Sequence, residues 1–225
     1  MRIFISILFF SISIFGFSQK SNKEIKAIQE QKASEQIKDL KNGVLLVRLK
    51  TRNSTIKALK DHGREEDAKK VEAEIKEDNL TLFSAFKNNF TFCDVYFVAS
   101  TYTDAIKEKR FNEVYFFDEN MKIDKSIKPN LNNFLVAEYG PVESDTTSYH
   151  QGSYANRAED GVERRESYSE RGSFGYEALI IRDDEFVQLS DPFPYSVRTW
   201  DGLVKPDKVV KKMNNKLMEF YDRVK

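Results

Sequence analysis

The stretch GVLLVRL, residues 43 to 49, follows a Lys-Asn-Gly break and is apolar almost without interruption. A strand with one wet face alternates apolar and polar residues, whereas a near-continuous apolar run belongs to a strand buried on both faces. The chain must therefore cover two sides of a sheet.

The remaining segments say how. Residues 21 to 41 carry Ile25, Ile28, Ile37 and Leu40 among many charges, which predicts a surface helix with a thin apolar stripe. A short helical piece around Ile56 and Leu59 precedes Gly63. Ala68, Val71, Ile75, Leu82, Phe83 and Phe86 then recur at helical spacing. FTFCDVYFVAS, EVYFFD and NFLVAEYG read as strands, with a short helix through Ile106 between the first two. YEALIIRDDEFVQL reads as two strands joined by a tight acidic turn. Pro206 suits the first turn of a last helix, on which Val209, Val210, Met213, Leu217, Phe220, Tyr221 and Val224 share one face. Strands alternating with helices, together with close hairpins, predict an α/β fold: a single domain whose mixed β-sheet is flanked by helices, with an N-terminal surface helix and a C-terminal amphipathic helix.

The first segment sets the compartment. Arg2 is followed by an uncharged stretch from Ile3 to Phe17, which matches the apolar heart of a signal peptide and is short for a membrane span. Small residues at Gly16 and Ser18 predict cleavage after Ser18. The expected organisation is a signal peptide at 1–18, a surface helix at 19–42 and an α/β domain at 43–225. Export to the periplasm or the extracellular space follows, with no stable membrane insertion after cleavage.

The 36 Lys and Arg balance the 36 Asp and Glu. With Arg2 removed the net charge is −1, so no global field favours nucleic acid or an anionic membrane. Cys93 is the only cysteine, so an internal disulfide is excluded and stability must come from an ordinary core. By strand alternation Cys93 shares a face with Val95, Phe97 and Ala99. That predicts packing for a thiol that has no resolving partner.

Residues 141 to 177 look least like scaffold. Between Val142 and Phe174 the only aliphatic side chain larger than alanine is Val162, and the segment holds four of the nine glycines. Such a composition buries too little apolar surface to offset the entropy of ordering, and reads as a polar loop insertion. Arg164, Arg165, Arg171 and Tyr168 give it planar donors and an aromatic face, residue types enriched in binding surfaces. The segment from Gln188 to Trp200 adds Phe193, Tyr195, Arg198 and Trp200 on a path stiffened by two prolines. The same aromatics also suit a plug between a sheet edge and a helix.

These features predict an exported, non-catalytic binding or interaction module whose partner is a protein, a peptide or a glycan, with no cofactor. The alternative is a metal-assisted hydrolase. Asp118, Glu138 and Asp183 lie at strand ends, where carboxylates that converge can hold Mg²⁺ or Ca²⁺ and activate water. Asp118 and Asp183 also sit in stretches typical of tight turns. No GxSxG, P-loop, HExxH, EF-hand or GxGxxG pattern occurs in the chain.

Overall fold

The computed structural model describes residues 22–143, 176–199 and 204–225. Residues 1–18, expected to be a signal peptide, and most of the 141–177 segment lie outside them. In chain order the described elements are α1 (Asn22–Asn42), β1 (Val44–Leu49), α2 (Asn53–Asp61), α3 (Glu65–Asn89), β2 (Asp94–Ala99) and α4 (Thr103–Lys107). They continue with β3 (Phe116–Phe117), β4 (Ile123–Asp124), β5 (Phe134–Pro141), β6 (Glu177–Arg182), β7 (Ser196–Arg198) and α5 (Pro206–Val224). The fold is α/β, with one mixed sheet flanked by helices.

The sheet runs β4-β3-β2-β1-β5-β6-β7. β1 is parallel to both β2 and β5, while the remaining pairs are antiparallel. β1 is thus the middle strand, which explains its apolar run: Leu45, Val47 and Leu49 point into one core and Val44 and Leu46 into the other. Each such side chain contributes about 1.5–3 kcal/mol when fully buried.

The larger core lies under three helices. α1 adds Ala33, Ile37 and Leu40, α3 adds Leu82, Phe83 and Phe86, and α5 adds Val209, Val210, Met213, Leu217 and Phe220. The acidic first turn of α3 (Glu65, Glu66, Asp67) complements its helix dipole, and Pro206 occupies the first turn of α5, where its missing N–H is not needed. Asn214 ties α5 to the turn entering β2, its Oδ1 accepting from Thr91 N at 2.8 Å. α1 is a surface helix over its first half, where Ile25 and Ile28 are exposed, and a core helix over its second. The opposite face is covered more thinly, by Ala105 and Ile106 of α4 and by Val114, Ile127 and Leu131.

Several strands differ from expectation. β2 starts only at Asp94. EVYFFD yields a two-residue β3, because that edge touches β2 through one paired position, Val98 with Phe116. The second arm expected after Asp183 reduces to a single bridge between Arg182 and Gln188, and β6 pairs instead with β7. Cys93 lies just before β2, half-buried against the larger core beside Val95.

Candidate functional site

The chain leaves β1 over the face carrying α3 and leaves β2 over the face carrying α4, arriving at β5 on the other side of β1. Connections therefore depart to opposite faces on the two sides of β1. In open α/β sheets, ligands gather outside the carboxyl ends of strands at such a switch point. A cleft of about 460 Å³ lies there, with Arg48 and Lys50 from the end of β1, Tyr139 from β5, Asp78 from α3 and Glu177 from β6 in its walls.

Arg48 is held from the second face of the sheet. Its Nε donates to Thr103 Oγ1 at 2.9 Å, and its Nη1 donates to Glu138. Glu138 in turn accepts from Arg182 Nε at 2.7 Å. Arg182 Nη1 also donates to Glu143 Oε1 at 2.7 Å and to the Phe186 carbonyl at 3.0 Å. Alternation puts Arg48, Glu138 and Arg182 on one face of three adjacent strands. Arg182 is only 8% exposed. Burial alone would lower its pKa, but the bonds and charges of Glu143 and Glu138 outweigh it, and the net shift is upward. The network fixes the Arg48 guanidinium, which has five N–H donors and uses only two of them here.

Tyr139 points to the other face, against the larger core. Its hydroxyl is buried and has no hydrogen-bond partner among the described residues. Burial, with a smaller contribution from the Asp207 charge, raises its pKa. Buried hydroxyls are nearly always paired, so an orphan in the wall of a cleft marks a position that a ligand or a water can satisfy. Around it, Lys50, Arg52, Glu77 and Asp78 are exposed and form no ion pair among the described residues. Arg52 also has a left-handed backbone (φ 45), uncommon for a side chain other than glycine and a kind of strain that clusters at binding sites.

The residues picked from sequence are distributed differently. Arg164, Arg165, Arg171, Tyr168 and Trp200 lie outside the described residues. Phe193 requires correction as a recognition residue: it is fully buried, its ring centroid 6.1 Å from that of Phe220, so it is core. Tyr195 is partly buried and bridges the larger core and a small cluster of Val142, Ala178 and Ile180. Arg198 is exposed on β7, its guanidinium 4.7 Å over the Tyr176 ring.

The three carboxylates of the hydrolase expectation do not converge. Asp118 Oδ1 accepts from the N–H groups of Asn120 and Lys122, each at 2.8 Å. Asp183 Oδ1 accepts from those of Glu185 and Val187 at 3.1 and 2.8 Å. Both are turn residues occupied by their own backbone. Glu138 is engaged by two arginines. β3, which leads to Asp118, is three strand spacings from β5, about 14 Å. Among the described residues no group of three His, Cys, Asp or Glu is placed to hold a metal ion.

Glu138 stands out in the sequence, but its partners Arg48 and Arg182 and the cleft residue Tyr139 do not. The available signal was Arg48 itself, a lone charge inside an otherwise apolar central strand, since a charge in that setting needs a partner. No family model, curated protein or solved structure matches the chain.

Proposed function

We propose that the chain is an exported, non-catalytic binding module of the cell envelope or extracellular space, and that the cleft beyond β1 and β5 takes a peptide segment. The observation that carries this reading is the orphan Tyr139 hydroxyl in the wall of a cleft at the switch point of the sheet. The cleft walls hold Arg48, Lys50 and Arg52 against Glu77, Asp78 and Glu177, so neither sign dominates. A peptide offers amide groups for the hydroxyl and for the spare Arg48 donors, and charges of both signs for the rim. The 141–177 segment leaves the sheet at the end of β5 and re-enters it at β6, where Glu177 lines the same cleft. Export rests on the first 18 residues. No helix among the described residues is long and apolar enough to cross a membrane.

The test is retention of a random hexapeptide pool on the immobilised protein, read by mass spectrometry. The proposal expects a reproducible subset to be retained by the parent protein and released by the Lys50→Glu, Arg52→Glu double variant, whose exposed positions tolerate substitution. No enrichment, or the same enrichment in the variant, overturns it.

A further inference from the structure

We propose that the opposite end of the sheet carries a second, independent site for a neutral saccharide. At the amino ends of β1 and β2 a cleft of about 400 Å³ opens on the thinly covered face, bounded by the α1–β1 junction, the start of β2 and the loop of residues 128 to 133. It lies across the sheet from the peptide cleft and from the roots of the insertion.

Its walls are built rather than incidental. Val44 N donates to the Asn133 carbonyl at 3.1 Å, which anchors the loop against the first residue of β1. That approach requires Gly43, because a Cβ there would stand 2.2 Å from the same carbonyl oxygen. The loop is pinned again where Asn130 Oδ1 accepts from Asn132 N at 3.1 Å. Asp94 pairs with Val44 on one side of β1, and Asn133 flanks it on the other, so the two stand about 10 Å apart, two strand spacings.

Asn42 and Asn130 are engaged by neighbouring backbone groups, while four other polar side chains of the cleft are open to a ligand. The side chains of Asn132, Asn133 and Asp94 form no hydrogen bond or ion pair among the described residues, and neither does the Tyr96 hydroxyl. The Tyr96 ring is steadied edge-on by Phe116, with ring centroids 5.9 Å apart. An amide presents a donor and an acceptor in one plane, and a carboxylate presents two acceptors. Neighbouring hydroxyls of a sugar ring supply the matching pattern, since each is donor and acceptor at once. The half-buried Tyr96 ring adds an apolar surface for the C–H face of the sugar. Other ligand classes fit worse. The sole cation in the walls, Lys128, lies 5.7 Å over the Tyr115 ring, so no basic cluster awaits a phosphate. Too few large apolar side chains face the space for an apolar ligand.

The test is an amide NMR titration of the full chain with cellobiose and with N,N′-diacetylchitobiose, both neutral disaccharides. The proposal expects saturable shifts for at least one sugar, with a dissociation constant of about 1 mM, grouped at Gly43, Asp94, Tyr96 and the side-chain amides of Asn132 and Asn133. In the Asn132→Ala, Asn133→Ala double variant, whose replaced side chains are exposed and whose remaining spectrum should superpose on the parent, binding should weaken at least about tenfold. Asp94→Asn, which keeps the shape, provides a second check and should weaken binding by a smaller factor. Absent or non-saturating shifts with both sugars, shifts centred on the peptide cleft, or undiminished binding by the double variant would each overturn it. Failure of the peptide proposal leaves this result untouched, because the two sites share no residue.

Discussion

Arg182 Nε donates to Glu138 Oε1 at 2.7 Å, a diagonal pairing between antiparallel strands in which both side chains are nearly out of water. The same carboxylate accepts from Arg48, so one buried anion positions two guanidinium groups, one of them in the wall of the cleft. Removing it strands charge in a low-dielectric setting. Glu138→Ala should lose about 3 kcal/mol in urea unfolding, while the Glu138→Leu, Arg182→Met double variant should recover part of that loss because desolvated charge is replaced by packing. A single-variant loss below about 1 kcal/mol would show that the pair is solvated.

Gly43 sits where a Cβ would meet the Asn133 carbonyl oxygen at 2.2 Å and that of Asp39 at 2.8 Å. Both contacts are backbone, so the chain itself must move. Gly43→Ala should cost about 1–3 kcal/mol by urea unfolding, the range for forcing atoms into a packed site. An unchanged midpoint would mean that the junction between α1 and β1 yields freely.

Tyr139→Phe separates stability from binding. Its hydroxyl is buried without a partner among the described residues, so its removal from the ligand-free protein should be neutral or stabilising, by up to about 1 kcal/mol. Peptide retention should fall in the same variant. A destabilised Tyr139→Phe protein would point to a structural bond for the hydroxyl.

Much of the scaffold was legible because it is local. The run at β1 announced a central strand, Pro206 and the stripe from Val209 to Phe220 announced α5, and the turn chemistry at Asp118 and Asp183 was visible in their neighbours. β4 and β7 were not legible. At two and three residues they carry no periodic pattern and exist because longer strands pair with them. The two prolines around Phe193 suit either a presented ring or a plug between a sheet edge and a helix, and its burial against Phe220 is the plug. The cleft was least visible, since Arg48, Glu138 and Arg182 are joined across 90 and 44 residues of chain by strand order alone.

Burial, aided by the nearby Asp94 charge, pushes the Cys93 thiol up to about 12. In the unfolded chain the thiol titrates near its ordinary value of about 8.5, so the unfolded state releases its proton first as the pH rises. The stability linked to Cys93 is fully present at neutral pH and is lost as the pH climbs from about 9 toward about 12. Stability of the parent should therefore fall more steeply than that of Cys93→Ala across this window, by up to about 1.4 kcal/mol per pH unit, measured by urea unfolding at each pH. Parallel profiles, or rapid thiol labelling of the folded protein at neutral pH, would show an accessible thiol.

Amide NMR mapping with the random hexapeptide pool reports where a ligand sits without presuming its sequence. Saturable shifts should cluster at Arg48, Lys50, Arg52, Asp78, Tyr139 and Glu177, with the amino ends of β1 and β2 unmoved. Shifts centred elsewhere on the protein, or a spectrum unchanged by the pool, would contradict a peptide site in this cleft.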